Sequence, residues 1–247
     1  MDLTVLGCGA AYPRPGGACS GFLVQGGDTN VWLDAGNGTF SRLQQHIEGS
    51  QIDAVVLTHV HADHIADILP FMYYLGFNPD PPASPIPIYT TDEVRKAATM
   101  SVGRGSMETF NKVMEFRSMV ETFEVGGIRF DAFRTKHPPE TYGVRITSNG
   151  SQAVYTADTA LYPELAGHCA DADLLITEAT YVARVEATPD IHMWAGEAGA
   201  MAEQAGAKRV LLTHIWPTIE PEEAVSEAAQ EFKGDLSAAV EGKRYTV

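Results

Sequence analysis

The chain has 247 residues, with 32 acidic against 17 basic side chains and a formal net charge of −15. That balance excludes a broad basic face for holding nucleic acid and a cationic face for docking on anionic lipid. A 45% hydrophobic content without any low-complexity tract excludes a disordered chain, and residues 1–247 are read as one domain with ample chain for a core. Leu3 to Leu6 is a short apolar run closed by Gly7, a first strand. Gly21 to Val24 and Val31 to Leu33 flank Gly26-Gly27-Asp28, a hairpin signal. A helix is expected from Thr39, and Ala54 to Leu57 has the composition of a buried strand. Asp63 to Leu75 carries helical spacing, with Pro70 expected to kink it. Asn78 to Pro87 holds five prolines and reads as an extended surface connection.

Residues 92 to 118 read as helical, broken at Gly103 and Gly105. Met100, Met107, Met114 and Met119 are read as packing rather than as the lining of a cleft. Strands are expected at Glu121 to Val125 and Ile128 to Phe133, joined by Gly126-Gly127. A second hairpin joins Tyr142 to Thr147 and Gln152 to Thr156 across Ser148-Asn149-Gly150. Leu174 to Thr177 and Val210 to Thr213 are buried strands. Ala195 to Ala205 and Pro221 to Phe232 are helices, the second striped by Val225, Ala228, Ala229 and Phe232. This order fits an α/β fold of two packed mixed sheets with helices outside. The likeness of Val55 to Val60 and Val210 to Ile215, both ending in Thr-His before an aliphatic residue, predicts His59 and His214 on one rim.

Cys8, Cys19 and Cys169 are odd in number and form no C-x-x-C pair, so free thiols are expected. Met1 to Leu6 has no basic leader, and no apolar stretch approaches the roughly 18 to 20 residues of a membrane span. A cytoplasmic protein without a membrane partner is expected.

The strongest signal is His59-Val60-His61-Ala62-Asp63-His64, four metal-ligating side chains in six residues directly after a buried strand. Imidazole and carboxylate suit zinc, and also manganese or iron. A strand end followed by a tight turn aims two histidines at one ion, and the next helix start aims Asp63 and His64 at a neighbour. His137, Asp158 and His214 each follow a predicted strand. Alone, each is more often a cap or surface residue; together with the six-residue run, they read as the remaining ligands.

These residues carry a resemblance to the metallo-β-lactamase superfamily. It runs through Leu6-Gly7-Cys8-Gly9, Leu33-Asp34-Ala35-Gly36, the H-x-H-x-D-H run, Thr156-Ala157-Asp158-Thr159 and Leu212-Thr213-His214. It implies a four-layer αβ/βα sandwich of two mixed β-sheets flanked by helices, with a dinuclear site on one rim. By this resemblance His59, His61 and His137 would hold one ion and Asp63, His64 and His214 the other. Asp158 would bridge them, and Asp34 would orient the loop beneath. The residues from His137 to Ile146 and from Leu175 to Tyr181, with His192, resemble the ribonuclease Z-like branch. Gly196-Glu197-Ala198-Gly199 and Leu212 to Ile215 with Pro217 look most like small bacterial cyclic-nucleotide phosphodiesterases of this fold. Ribonuclease Z proteins carry a long tRNA-gripping arm between the ligands matching His137 and Asp158. Here those residues are 21 apart, room for a hairpin only.

The implied activity is hydrolysis of a small phosphodiester by a hydroxide shared between two divalent ions, zinc first among them. Asp63 would orient that hydroxide, and His192, partnered by Glu178, would protonate the leaving oxygen. Lys136 is a candidate phosphate contact, and Trp216 or Trp194 a candidate for stacking a base. Tyr73, Tyr74 and Phe77 are candidates for the cleft wall. The branch is often dimeric, so a homodimer is an expected arrangement. Lactone or thioester hydrolysis, RNA processing, and a non-catalytic or redox di-iron protein are the competing readings. The glycine-rich H-T-P-G-H pattern of the acyl hydrolases is absent around His137. The redox branch has Glu where His61 stands.

Overall fold

Period-two alternation divides the central strands between two cores. In β1 (Asp2–Gly7) Leu3 and Val5 face one way and Leu6 the other. In β2 (Gly21–Gly26) Phe22 and Val24 oppose Leu23, and in β3 (Thr29–Leu33) Val31 and Leu33 oppose Trp32. The computed structural model describes residues 1–102, 106–119, 122–184 and 190–247. Gly103, Gly105 and Glu121, named above, lie outside the described residues.

The first half continues through α1 (Thr39–Leu43), β4 (Ala54–Val56), α2 (Ala62–Ile65), α3 (Ile68–Phe77) and β5 (Ile86–Thr90). It ends with α4 (Asp92–Ser101), α5 (Met107–Val113) and β6 (Met114–Ser118). The second half runs β7 (Thr122–Val125), β8 (Ile128–Arg134), β9 (Tyr142–Ser148), β10 (Ser151–Tyr155), α6 (Leu165–His168) and β11 (Leu174–Glu178). It closes with α7 (Ala195–Ala205), β12 (Arg209–Thr213), α8 (Pro221–Glu231), β13 (Asp235–Ala238) and β14 (Arg244–Thr246). Among the described residues these strands form two seven-stranded sheets, ordered β14-β1-β2-β3-β4-β5-β6 and β13-β12-β11-β10-β9-β8-β7.

One apolar core lies between the sheets, containing Leu3, Phe22, Phe130, Ile146 and Ile176. A second packs Trp32, Phe40, Phe71 and Phe110 on the outside of the first sheet. A third packs Val154, Leu175, Leu212 and the alanines of α7 and α8 on the outside of the other. The result is the four-layer α/β sandwich with helices on both outer faces. No described helix is long and apolar enough to cross a membrane.

The two sheets share one pairing pattern. From β14 to β6, and from β7 to β13, three antiparallel pairings are followed by three parallel ones. By this register β4 corresponds to β11, so the Thr-His likeness of β4 and β12 is not the register of the repeat. Hydrogen bonds repeat with the pattern. Asp34 N–H donates to Val56 O at 2.8 Å, as Thr156 N–H does to Ile176 O at 3.0 Å. Thr58 N–H donates to the Asp34 carboxylate at 2.8 Å, as Glu178 N–H does to Thr156 Oγ1 at 3.2 Å.

The structure corrects several sequence expectations. The break after the His/Asp run falls at Ala66–Asp67, where Asp67 accepts Phe40 N–H at 2.9 Å and donates its own N–H to Ala35 O. Pro70 sits in the first turn of α3, where its missing N–H costs nothing. The proline-rich segment ends inside a strand. Pairing of β5 with β4 starts only at Ile88, so Pro87 removes no ladder bond on that side. Residues 114–118 are the edge strand β6, not helix; Met114 and Phe116 alternate onto the outer core over too few residues to declare a period. Met114 and Met119 are buried and Met107 packs on the core, whereas Met100 is exposed. In α8 the inward stripe includes Ala224 in place of Ala229. The short β13, β14 and α6 carry no sequence period long enough to read.

Close backbone approach sets two glycines near the rim. A Cβ on Gly7 would lie 1.9 Å from Cys19 O, and one on Gly36 would lie 2.1 Å from Asp63 O. Gly36→Ala is expected to cost about 3 kcal/mol in urea denaturation, because the clash is with backbone. An unchanged midpoint would contradict this packing.

Candidate metal centre

The seven candidate metal ligands lie at or just beyond strand ends. Parallel β3 and β4 deliver Asp34 and Thr58-His59 to one rim. Strands β8, β10, β11 and β12 deliver His137, Asp158, Glu178 and His214 to it. His61 is the N-cap of α2, and Asp63 and His64 occupy its single turn. Three of these rim residues hold left-handed backbone: Asp34, Ala157 and His214 have φ of 56°, 52° and 54°. Each turns the chain sharply off its strand toward the site.

The seven side chains form two adjoining groups. His59, His61, His137 and Asp158 present ligand atoms within 4.8 Å of one another, as do Asp63, His64 and His214. His61 Nδ1 lies 3.1 Å from His59 Nε2 and 3.2 Å from His137 Nε2. His214 Nε2 is 3.2 Å from Asp63 Oδ2. Asp158 lies between the groups, with Oδ1 3.2 Å from His64 Nε2 and Oδ2 3.5 Å from His59 Nε2 and 3.4 Å from His214 Nε2.

The outward nitrogens are fixed by partners. His59 Nδ1 meets Thr58 Oγ1 at 3.0 Å, and His64 Nδ1 meets Asp34 Oδ2 at 2.7 Å. His137 Nδ1 donates to Ile191 O at 2.9 Å, and His214 Nδ1 meets Thr180 Oγ1 at 2.9 Å. Such partners set the ring orientation and turn the other nitrogen inward. Asp34 carries more than His64: Thr58 N–H, Thr58 O–H and Tyr155 O–H also donate to it. Ala11 N–H donates to Asp63 Oδ2 at 2.7 Å.

The electrostatics suit cation binding. Burial pushes the His59 and His137 imidazoles down to about 4 and lowers His61, leaving these rings neutral with a free lone pair. Burial opposes ionisation of Asp63, but His64 and His214 outweigh it and hold the carboxyl below its usual range. Burial likewise opposes ionisation of Asp158, where His214, His64 and His59 prevail. Burial opposes the charging of His64, yet the Asp158, Asp34 and Asp63 carboxylates keep its proton well above the ordinary range. His64 Nε2 and Asp158 Oδ1 are buried and have no hydrogen-bond partner. A divalent cation would displace the His64 proton and take both atoms as ligands, among five imidazoles and two carboxylates whose chemistry suits such an ion.

His192 stands beside the cluster, its ring centroid 4.9 Å from that of His137 and 5.3 Å from that of His214. Its Nδ1 meets Glu178 Oε1 at 3.0 Å, leaving Nε2 as the uncommitted nitrogen. Burial opposes its protonation, but Glu178 raises it to about 9. Glu178, fully buried, also accepts Thr159 N–H, Thr180 O–H and Met193 N–H. It therefore links His192 to His214 through Thr180.

The remaining candidates lie elsewhere in the contact network. Lys136 Nζ is 2.6 Å from Asp190 Oδ2, which commits its charge to an exposed ion pair. Trp216 packs edge-on to Tyr12 and stacks on Tyr181, whose ring also neighbours His192. Trp194 is buried at the start of α7. Tyr73, Tyr74 and Phe77 pack among themselves and on Phe40, Phe71 and Phe110. Thr58, Tyr155, Thr159, Thr180 and Ala11 N–H were not anticipated. For Thr58 the adjacency to His59 was a usable signal; the others are joined to the site only by the fold.

A family model described as a Beta-lactamase superfamily domain matches residues 29–215, a span holding the whole His/Asp set. The chain belongs to the β-lactamase superfamily, in its metallo-β-lactamase fold class. It is 33% identical to the "Probable metallo-hydrolase YhfI" of Bacillus subtilis (strain 168), over 98% of each chain. The crystal structure of YhfI matches with a TM-score of 0.89 at 30% identity, covering 99% of both chains. Ribonuclease Z of Mycobacterium bovis (strain BCG / Pasteur 1173P2) is 29% identical over 96% of this chain and 94% of its own. A crystal structure described as a new diphosphatase from the PhnP family shares the fold, with a TM-score of 0.77 at 22% identity over 100% and 97% of the two chains.

Proposed function

We propose that this chain is a dinuclear-metal-dependent hydrolase of small phosphodiesters, with a cyclic nucleotide as the first candidate substrate and zinc as the first candidate metal. The observation that carries the reading is Asp158 lying between two groups of inward-facing imidazoles. His59, His61 and His137 would hold one ion, Asp63, His64 and His214 the other, and Asp158 both; manganese or iron also suits this donor set. Ions held there supply Lewis-acid activation of water and of a phosphoryl oxygen.

The chain's own groups do the rest. Asp63, fixed by Ala11 N–H, orients the attacking water as well as holding metal. His192 holds a proton at Nε2 for the leaving alkoxide, with Nδ1 anchored on Glu178. Small size follows from the segment between His137 and Asp158, which is used by the turn and the β9–β10 hairpin and builds no arm. The acidic chain supports the same preference. Names of relatives support phosphoryl over acyl chemistry, one being a ribonuclease and one fold neighbour a diphosphatase.

The test is a screen of purified protein with zinc, manganese or iron against bis(p-nitrophenyl) phosphate, cyclic AMP, cyclic GMP and an acyl lactone. Metal-dependent turnover of a phosphodiester is expected; lactone turnover with every phosphodiester inert would overturn the reading. His192→Gln is expected to lower kcat on the order of 10²- to 10³-fold while bound metal, read by elemental analysis, stays unchanged. Metal loss in this variant would make His192 a ligand instead.

A further inference from the structure

At the end of β12 remote from His214 lies a polar cavity of about 320 Å³, lined by Arg209, Asp235, Ser237, Lys243, Arg244 and Tyr245 among others. It joins the first residues of β12 and β13 to β14 of the facing sheet. The five residue steps from Arg209 to His214 span about 16 Å of extended chain, so the cavity is separate from the metal centre. Its chemistry runs against that of the chain. With a net charge of −15 and only 17 cationic side chains, the protein brings three of them to this one cavity.

Two of the three have no ion-pair partner within 4 Å among the described residues. Arg209 gives one guanidinium N–H to Thr246 O, and Lys243 Nζ lies 4.8 Å over the Tyr245 ring. Arg244 is paired with Asp2, and Asp235 is the one carboxylate on the lining. The second, independent observation is Tyr245. The residue is 91% buried, since its relative exposure is 9%, and its hydroxyl is buried without a hydrogen-bond partner. A buried phenol left unpaired costs free energy that a ligand oxygen recovers. Two uncommitted cations, the Ser237 hydroxyl and an orphaned phenol define a donor set for a compact oxyanion.

We propose that this cavity binds a small tetrahedral dianion of the phosphate class, at a site distinct from the metal centre. Lys243 and Arg209 supply the charge, and Tyr245 O–H and Ser237 O–H supply the hydrogen bonds. The metal centre also attracts phosphate, so the measurement must report position. The probe is inorganic phosphate, titrated at constant ionic strength into full-length, metal-replete protein while backbone amide NMR signals are followed. Saturable shifts at Ser237, Lys243 and Tyr245 are expected, apart from any at Ala11 and His214.

Tyr245→Phe and Lys243→Ala are each expected to weaken this binding about tenfold, the scale of one charge-assisted hydrogen bond. Both variants should hydrolyse substrate at the unaltered rate. Shifts confined to Ala11 and His214, shifts reproduced by chloride alone, or unchanged affinity in either variant would overturn the proposal. The last outcome would leave Tyr245 satisfied by an ordered water only.

Discussion

Asp158→Ala is expected to abolish metal retention and activity together. The carboxylate is buried and lies within 3.2 to 3.8 Å of four imidazole nitrogens, those of His59, His64, His137 and His214. Among the described residues it is the carboxylate within 4 Å of imidazoles from both groups of candidate ligands. Its removal leaves each group short of an anionic donor and brings several cationic or metal-bound centres together without compensation. Activity is expected to fall on the order of 10⁴-fold, the scale of losing one member of a set that acts as a unit. Elemental analysis and phosphodiester turnover on the same preparation decide it. Activity surviving with metals bound would refute the bridging assignment.

Asp34→Ala is expected to have the largest effect on stability. Asp34 is fully buried and accepts from Thr58 N–H, Thr58 O–H and Tyr155 O–H, besides meeting His64 Nδ1 at 2.7 Å. Alanine would orphan four buried polar groups at once, and the protonated His64 would lose one of its three carboxylate neighbours. A cost of about 3 to 5 kcal/mol is expected in urea denaturation, on the scale of breaking a buried ion pair. Asp34→Asn separates the structural part from the electrostatic one. Asparagine tolerates the φ of 56° and still accepts hydrogen bonds through one oxygen. It is expected to fold, yet to bind metal about 10- to 100-fold more weakly, because His64 is no longer oriented by a charge. Metal affinity equal to wild type in Asp34→Asn would show that the His64 contact has no role in tuning the site.

Several layers of this molecule are written locally. The H-x-H-x-D-H run places four candidate ligands within one turn and a half of chain, so their proximity needs no long-range folding. The hairpins at Gly26-Gly27 and Asn149-Gly150, the buried strands at 54 and 210, and the helix from Ala195 to Ala205 have compositions that act over a few residues. Where the local signal is short or contradictory, reading fails. Ile86–Thr90 is a strand despite its prolines because it is held between β4 and β6, and Met114–Ser118 is an edge strand because it pairs with β5. The likeness of β4 and β12 pointed to the correct rim, whereas the strand pairing matches β4 to β11. Strand pairing, rather than six similar residues, defines that correspondence.

By itself the sequence determined the clustering of His and Asp side chains after the strand at 54–56 and an α/β chain of two mixed sheets, since both rest on residue types at short spacing; the four-layer arrangement was implied by the family resemblance. Only the tertiary structure decided how these parts act on one another. It brought Glu178 beneath both His192 and, through Thr180, His214; it placed Tyr155 on Asp34 across 121 residues; and it committed Lys136 to Asp190. It also brought Arg209 of β12 beside Lys243 and Tyr245 of the β14 segment at the opposite rim. The physical reason is the same in each case. Hydrogen bonds and charge pairs are made through space between strand ends, and sheet order and register, not sequence separation, decide which ends meet.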